Sequence, residues 1–255
     1  MIKLDTQKLL EIAKKAALKA GEDILEIYNK EDFEVELKSD NSPLTVADKA
    51  SHNRIMEYLV DTEIPILSEE GKEMSYAERK DWDVFWLIDP LDGTKEFIKR
   101  NGEFTVNIAL IKNQKPIMGV VYTPVLDWLY WGSEDGAYKT EIGNTQKIIT
   151  AKTDLSIPNL KVVASRSHLN QETEDFLSTL QNPEIVSMGS SLKFMLVAEG
   201  KAHVYPRYAP TMEWDTGAAQ AVVEAAGGKV YKEPGREKFV YNKENLLNPH
   251  FLVLG

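Results

Sequence analysis

The sequence predicts a two-lobed α/β protein, with an α+β lobe over residues 1–153 and an α/β lobe over residues 154–255. Apolar runs between residues 104 and 131 are separated by short polar turns, as is typical of an antiparallel meander. After residue 158, short apolar runs alternate with segments of helical periodicity, which is typical of an α/β lobe. A polar stretch lies between the two patterns, so we place the boundary near Thr153.

Composition narrows the class of protein. With 40 acidic and 30 basic side chains the formal net charge is -10, which disfavours non-specific binding to polynucleotides or anionic lipid. The sequence has no cysteine, so disulfides and thiolate metal ligands are excluded. We find no signal peptide and no apolar run near the roughly 18 residues that a membrane span requires. We expect a cytoplasmic protein without an integral membrane segment or a nucleic acid polymer as partner.

The N-terminal elements are predicted from periodicity. Asp5 or Thr6 can cap a long helix, in which apolar residues recur at helical spacing from Leu9 to Ile27. Residues 33–37 alternate apolar and acidic side chains, which predicts a half-exposed strand. A second helix is expected from about Thr45 to Leu59.

Thr45 and Asp48 have the spacing of a capping box at the start of this second helix. An N-cap threonine and an acid in the first turn both stabilise a helix. From the residues alone, this structural role is the favoured interpretation of Asp48.

An apolar run that leads into an acidic turn is the most informative segment. Val84 to Ile88 is predicted to be a strand covered on both faces. Pro90 cannot donate to a strand ladder, so the strand is expected to stop by Asp89. Asp92 follows across the turn, which brings two carboxylates to one end of a buried strand.

The same turn opens a short helix. Gly93 supplies backbone freedom, and the N–H groups at the start of the stretch from Thr94 to Lys99 can face an anion. Carboxylates repel an anionic ligand unless hard cations lie between them, and such cations prefer oxygen ligands. The turn therefore predicts a magnesium site that binds phosphate.

An ordinary surface turn is the alternative, because Asp, Pro and Gly are common in turns. Two further acidic ends weaken this alternative. The apolar segment that ends at Leu67 is followed by Glu69 and Glu70, and Asp215 lies at the start of a helix rich in small residues. Three such ends in one chain are harder to dismiss as ordinary turns, although spacing alone shows only that the acids could converge.

The sequence lacks the motifs of several other classes of enzyme and nucleotide-binding protein. Aspartyl-phosphate phosphatases need two Asp separated by one residue, whereas two residues separate Asp89 from Asp92. The sequence contains no phosphate-binding loop of nucleoside triphosphatases, no dinucleotide fingerprint and no Gly-x-Ser-x-Gly nucleophile elbow. Paired carboxylates could serve a glycosidase, but a helix start beside them suits phosphate better than sugar.

Three motifs carry a family resemblance. Ser68-Glu69-Glu70, the segment Asp89-Pro90-Leu91-Asp92-Gly93-Thr94 and the segment 214–219 resemble, in order and spacing, the metal motifs of the inositol monophosphatase superfamily. Residues 89–122 and 187–214 resemble in particular its CysQ-type 3′(2′),5′-bisphosphate nucleotidases. The resemblance covers nearly the whole chain and implies the layered αβαβα sugar-phosphatase fold.

The resemblance also implies a metal site with two or three Mg²⁺ ions and sensitivity to lithium. Its ligands would be Glu69, Asp89, the carbonyl of Leu91, Asp92 and Asp215. Among the catalytic residues, Glu69 and Asp89 would hold the ion that activates water. Asp48 would pair with Thr94 to orient that water, and the N–H groups of Gly93 and Thr94 would face the phosphoryl oxygens.

The substrate pocket depends on weaker signals. By resemblance, His168 would lie near the base, with Ser190, Lys193 and Arg207 around the nucleotide and its 5′-phosphate. Without the resemblance, His168 would be interpreted as a solvated loop residue and Lys193 as a surface lysine. The guanidinium of Arg207 is a suitable phosphate ligand on its own chemistry.

The position seven residues before the last metal Asp separates two substrate classes. Inositol phosphatases typically carry a Glu there for the inositol hydroxyls, whereas this chain has Tyr208. This substitution counts against inositol phosphate as the main substrate. Glu213 lies closer to Asp215, so a shifted loop could still supply the carboxylate.

The expected activity is hydrolysis of the 3′-phosphate of adenosine 3′,5′-bisphosphate to AMP, with 3′-phosphoadenylyl sulfate as a second candidate substrate, in sulfur assimilation and nucleotide recycling. An inositol or sugar phosphate monoesterase is one alternative. A non-catalytic, Mg²⁺-dependent nucleotide-binding regulator is another. The resemblance allows a monomer or a homodimer and peripheral association with the inner membrane.

Overall fold

The computed structural model describes residues 4–30, 35–37, 43–164 and 169–255. The helices in these residues are α1 Thr6–Tyr28, α2 Val46–Leu59, α3 Tyr76–Arg79, α4 Thr94–Ile98, α5 Gln171–Ser178, α6 Leu192–Ala198 and α7 Trp214–Ala225. The first nine strands are β1 Val35–Leu37, β2 Pro43–Thr45, β3 Ile66–Ser68, β4 Val84–Asp92, β5 Thr105–Lys112, β6 Lys115–Thr123, β7 Trp128–Ser133, β8 Gly136–Glu141 and β9 Asn144–Ile148. The others are β10 Lys161–Val163, β11 Glu184–Val186, β12 Val204–Arg207, β13 Lys229–Lys232, β14 Glu237–Lys238 and β15 Phe251–Leu254.

Two large sheets organise the chain. A seven-stranded sheet has the order β3-β4-β5-β6-β7-β8-β9, and a six-stranded sheet has the order β11-β10-β12-β15-β13-β14. All neighbouring pairs of the first sheet are antiparallel except β3 with β4, which confirms the predicted meander. A small antiparallel pair, β1 with β2, lies apart from them.

Strand β4 is buried on both faces, as its continuous apolar run predicts. Trp86 and Ile88 join a core with α1 and α2, whereas Phe85 and Leu87 join a second core with α6 and α7. Side chains that alternate along a strand point to opposite faces of the sheet. The seven-stranded sheet is therefore covered by one helix pair on each side.

The second sheet completes the layers. Tyr205 and Val253 share the core of α6 and α7, while Val204 and Leu252 pack on the other face with Leu177 of α5. The order of layers is thus α1 and α2, seven strands, α6 and α7, six strands, and α5. This order is the predicted αβαβα arrangement.

Both N-terminal helices begin as predicted. The side chain of Asp5 accepts a hydrogen bond from Lys8 N at 3.0 Å and caps α1. Thr45 is the N-cap of α2. Of the strand expected over 33–37, Val35 to Leu37 form β1, and Phe33 and Glu34 lie outside the described residues.

Two strands were not predicted, and a third ends later than expected. Strands β8 and β9 follow the predicted meander, and four of the five residues of β9 are exposed, so β9 shows no alternation that would predict a strand. In addition, β4 does not stop by Asp89 but continues to Asp92. Its register with β5 shifts between Asp89 and Asp92, so Pro90 lies in a bulge where no ladder donor is needed.

Helix α7 lies unusually close to the seven-stranded sheet. A Cβ atom on Gly119 would lie 2.2 Å from the carbonyl oxygen of Ala218, and one on Gly132 would lie 2.6 Å from Cα of Val222. Glycine at these two positions lets the helix backbone approach β6 and β7. This approach fixes the start of α7, and hence Asp215, relative to the end of β4.

The chain leaves the seven-stranded sheet at Ile148 and enters the six-stranded sheet at Lys161. The boundary near Thr153 falls in this connection, but a division into two lobes, 1–153 and 154–255, stays a prediction. None of the described helices is both long and apolar enough to cross a membrane.

Candidate active site

The acidic turn is built by the bulge at the end of β4. Ser51 of α2 donates a hydrogen bond of 2.6 Å to the carbonyl of Pro90. The N–H of Leu91 donates to Asp89 Oδ1 at 3.1 Å. These two bonds fix the bulge, so Asp89 is held in the interior, where its side chain is 1% exposed.

Four carboxyl groups from three separate motifs interact at this point. Burial, followed by the negative charges of Glu69, Asp92 and Asp215, raises the pKa of Asp89 well above its usual range. Burial and the charge of Asp92 raise the pKa of Asp215 to about 8. The three predicted metal motifs therefore converge, and their mutual repulsion is the feature that a bound cation would relieve.

The donor set fits a hard divalent cation, because it consists of carboxylates together with backbone carbonyls of the bulge. As the side chains lie, no three His, Asp or Glu groups in the described residues form a closed ligand cage. The carboxylates instead accept hydrogen bonds from the protein. Asp92 accepts from Ser190 Oγ at 2.6 Å, and Asp215 accepts from Met212 N at 2.8 Å.

Asp48 has two neighbours that use different oxygens of its carboxylate. Its Oδ2 accepts hydrogen bonds from Thr45 N at 2.8 Å and Thr45 Oγ1 at 2.6 Å, which forms the capping box of α2. Its Oδ1 accepts a hydrogen bond from Thr94 Oγ1 at 3.2 Å. The structural interpretation and the pairing implied by the family thus apply to the same side chain, which is 2% exposed.

Ser190, in the loop before α6, contacts the acidic turn at the end of β4. Besides its bond to the Asp92 carboxylate, Ser190 Oγ lies 3.0 Å from the carbonyl oxygen of Asp92. Its backbone has a φ of 51°, in the left-handed region that is costly for a residue with a Cβ. The preceding Gly189 donates its N–H to Glu103 Oε2 at 2.7 Å. A strained loop is therefore held against the carboxylates.

Two cationic side chains face the same cleft. Lys193 donates to the carbonyl of Ser190 at 3.2 Å, and burial, together with the nearby positive charge of Arg207, lowers its pKa. Arg207 donates from Nη2 to the carbonyl of Pro210 at 3.3 Å, and its buried Nε has no hydrogen-bond partner among the described residues. Two neighbouring cations with unused donors indicate an anion subsite.

The cleft has a volume of about 250 Å³. Its walls contain both carboxylates and the two cations, and Lys193 interacts with Asp92 as Arg207 does with Asp215. The lining residues are Asp92, Gly93, Glu96, Ser190, Ser191, Lys193, Phe194, Tyr205, Arg207, Thr211, Asp215 and Thr216. Gly93 has a φ of 96°, and a Cβ there would lie 3.3 Å from the Cβ of Ser190, so glycine keeps this wall open.

Two of the residues expected to determine the substrate pocket, His168 and Tyr208, are not found in the cleft that the structure describes. His168 lies outside the described residues. Tyr208 packs its ring against Phe176 and His250, with centroid distances of 6.2 and 5.5 Å, and is absent from the described lining of the cleft.

Glu213 does not supply a shifted carboxylate to the cleft. It is fully buried and accepts hydrogen bonds from the backbone N–H groups of Asn242 and Lys243 at 2.6 and 3.0 Å. It also accepts from Lys243 Nζ at 2.6 Å. Glu213 therefore anchors the segment after residue 241 to the start of α7, and the alternative that it binds inositol hydroxyls loses its structural basis.

Sequence reasoning missed a cluster of buried polar residues behind the cleft. Thr105 and Asn107 of β5 and Ser191 at the start of α6 are each at most 2% exposed. They hydrogen bond to one another and to Ser190. The polar residues at alternate positions of an otherwise apolar strand were the available signal.

Comparisons with known proteins agree with this geometry. A family model described as the inositol monophosphatase family matches residues 5–251. The protein named 3′(2′),5′-bisphosphate nucleotidase CysQ from Shigella flexneri is 48% identical over 240 residues, which cover 93% of this chain and 96% of the relative. The protein of the same name from Haemophilus influenzae is 36% identical over 244 residues, covering 94% and 90%.

Solved structures give the same picture. CysQ from Bacteroides thetaiotaomicron, described as a bacterial member of the inositol monophosphatase family, is 49% identical and superposes with a TM-score of 0.89 over 99% of each chain. An inositol monophosphatase from Anabaena is 26% identical, with a TM-score of 0.76, covering 98% of this chain and 92% of the other. The fold is therefore shared along almost the entire chain.

Proposed function

The chain belongs to the inositol monophosphatase family, and we propose that within this family it is a 3′(2′),5′-bisphosphate nucleotidase. It hydrolyses the 3′-phosphate of adenosine 3′,5′-bisphosphate to AMP and phosphate, and 3′-phosphoadenylyl sulfate is a further substrate of the same kind. Such an activity serves sulfur assimilation and nucleotide recycling. The names of relatives that match nearly the whole chain support this assignment.

One observation carries the proposal. The cleft combines carboxylates of the metal motifs, Asp92 and Asp215, with two cations, Lys193 and Arg207. A nucleotide with two separate phosphates presents one group for hydrolysis and one for binding. The two cations suit the second phosphate, whereas an inositol monophosphate has no such group to place beside them.

The family is one of metal-dependent phosphatases, and Mg²⁺ is the proposed ion, with two or three per site. The proposed ligands are Glu69, Asp89, the Leu91 carbonyl, Asp92 and Asp215. When bound, the ions would neutralise charge on the phosphoryl oxygens and activate the attacking water.

The side chains orient the attacking water and hold the substrate. Asp48 Oδ1 accepts the hydroxyl hydrogen of Thr94, so a lone pair of Thr94 Oγ1 is left to accept a hydrogen from the attacking water. The water is thereby oriented for in-line attack on phosphorus. Lys193, Arg207 and Ser190 hold the nucleotide and its second phosphate, and His168 is assigned to the base. The N–H groups of Gly93 and Thr94 face the phosphoryl oxygens.

Replacement of one carboxylate tests the proposal. Asp92→Asn keeps the shape of the side chain and its ability to accept a hydrogen bond from Ser190, but removes one carboxylate charge from the proposed metal site. We expect loss of phosphate release with an unchanged circular dichroism spectrum. Asp61→Asn, on the surface after α2, is the control and should keep full activity. Turnover by Asp92→Asn near the wild-type rate would contradict the assignment of Asp92. A non-catalytic regulator would instead bind the nucleotide without turnover in the wild type.

A further inference from the structure

Thr105 is a buried residue that contacts two serines lining the cleft, Ser190 and Ser191. Its side chain is fully buried on β5, and in the β-ladder it is paired with Asp92. Its Oγ1 lies 2.6 Å from Ser190 Oγ and 2.8 Å from Ser191 Oγ. Asn107 Nδ2 donates to the same oxygen at 3.2 Å. Thr105 is absent from the described lining of the cleft, so it acts only through its neighbours.

The donor and the acceptor can be assigned for the hydrogen bonds that lead to Asp92. Ser190 has a single hydroxyl hydrogen, and it is donated to Asp92 Oδ2 at 2.6 Å. In the short contact with Thr105, Ser190 must therefore be the acceptor, and Thr105 must be the donor. The hydroxyl of Thr105 in turn accepts from Asn107. The result is a chain of donors that begins at Asn107 and ends on the carboxylate of Asp92.

Ser191 closes the network on its other side. Because the hydrogen of Thr105 is directed to Ser190, the single hydroxyl hydrogen of Ser191 is shared between Thr105 Oγ1 and Asn107 Oδ1, each at 2.8 Å. The contact with Asn107 Oδ1 orients the Asn107 amide so that Nδ2 faces Thr105. In a buried setting, successive hydrogen bonds of the same direction polarise and strengthen one another. The final acceptor, Asp92, gains most when it is ionised.

We propose that Thr105 is a positioning residue, which holds Ser190 in its strained conformation and, through Ser190, fixes the carboxylate of Asp92 for cation binding. The inference rests on the proposed function of the cleft and deepens it. Hydrogen-bond partners of metal ligands orient the ligands, and their loss typically costs about 10- to 100-fold in metal affinity or activity. Thr105 does not contact Asp92 through its hydroxyl but acts through Ser190. Because the Thr105 hydroxyl donates to Ser190, the hydroxyl hydrogen of Ser190 stays directed to the Asp92 carboxylate.

Thr123 provides a matched comparison. It is also a fully buried threonine, at the end of the neighbouring strand β6. Its hydroxyl, however, has no hydrogen-bond partner among the described residues. At either position, valine replaces threonine with a side chain of similar size that has no hydroxyl. Thr105→Val removes hydrogen bonds as well as a buried hydroxyl, whereas Thr123→Val removes a buried hydroxyl alone, so the two variants separate the effect of the hydrogen bonds from that of burial.

The experiment compares Thr105→Val, Thr105→Ser and Thr123→Val in the full chain. Mg²⁺ binding is measured by titration calorimetry, and kcat and KM are measured for adenosine 3′,5′-bisphosphate over a range of Mg²⁺ concentrations. We expect Thr105→Val to lose about 10-fold or more in Mg²⁺ affinity and in kcat at low Mg²⁺. Thr105→Ser keeps the donor and should stay near the wild type, as should Thr123→Val.

Two outcomes would overturn the inference. One is wild-type Mg²⁺ affinity and kcat in Thr105→Val, and the other is an equal loss in Thr105→Ser, which would indicate packing of the methyl group. If Thr105→Val does not fold, Thr105→Cys replaces it, because a thiol is a weak donor, and the same contrast with Thr105→Ser decides. If the wild type binds Mg²⁺ but does not hydrolyse the nucleotide, the proposed function fails while calorimetry still tests Thr105.

Discussion

Thr94 Oγ1 lies 3.2 Å from Asp48 Oδ1, a hydrogen bond that joins two residues 46 positions apart. The other oxygen of Asp48 is occupied by both donors of Thr45. Asp48 is therefore held by its own helix cap and presents one oxygen to Thr94 in a fixed direction. The rigidity of a helix terminus is used to orient the group proposed to position water.

The first prediction concerns this pair. Thr94→Val keeps the shape of the side chain but removes the hydroxyl that orients water. We expect kcat to fall by about 10²-fold or more with little change in KM, because misplacement of a reacting group by about 1 Å typically costs this much. Thr94→Ser retains the hydroxyl and should retain most of the rate. Steady-state phosphate release measures both, and a Thr94→Val enzyme as active as the wild type would exclude the proposed role.

The second prediction concerns Arg207, one of the two cations that line the cleft. Arg207→Met should raise KM for adenosine 3′,5′-bisphosphate by about 10- to 100-fold, since a hydrogen bond to a charged group contributes about 1.5–3 kcal/mol. KM for adenosine 3′-phosphate, which lacks the 5′-phosphate, should change little. Arg54→Met, at a surface ion pair, is the control. Equal increases of KM for both substrates would show that Arg207 does not bind the 5′-phosphate.

The third prediction concerns pH and the metal-free protein. The pKa of Asp215 is raised from 3.8 to about 8 in the folded protein, so the folded state keeps a proton that the unfolded state has released. The free energy of unfolding must therefore fall as the pH rises between these two values. Added Mg²⁺ should oppose the fall, because it neutralises the same carboxylates.

Urea unfolding at several pH values, with and without Mg²⁺, measures this effect. Asp215→Asn should flatten the pH dependence of the metal-free protein and reduce the stabilisation by Mg²⁺. A pH dependence of the metal-free protein that Asp215→Asn leaves unchanged would show that Asp215 is not strained by its charge.

Much of the fold could be predicted because local signals agreed with tertiary packing. The capped helices α1 and α2 and the meander from β5 to β7 follow from periodicity and turn residues. Strand β9 could not be predicted, because four of its five residues are exposed and show no alternation of apolar and polar side chains. Pro90 was misjudged because its missing donor argues against a regular ladder and carries no information about a bulge.

The residues of the site also fall into those that the sequence could predict and those that it could not. Carboxylates at strand and helix ends are conspicuous in the sequence, and the structure brings Glu69, Asp89, Asp92 and Asp215 into one charged cluster. The role of Glu213 depends on the backbone of residues 242 and 243, and the role of Thr105 depends on a loop 85 residues away. Such contacts arise from tertiary structure, so spacing along the chain cannot reveal them.

The most direct test of the central claim is phosphate release by the purified protein after removal of metal, with and without added Mg²⁺. Adenosine 3′,5′-bisphosphate, inositol 1-phosphate and fructose 1,6-bisphosphate are assayed in parallel. We predict turnover that requires Mg²⁺ and strongly favours the nucleotide. Preference for inositol 1-phosphate would contradict the roles assigned to Lys193 and Arg207, and release of phosphate from none of the three would contradict the proposed activity.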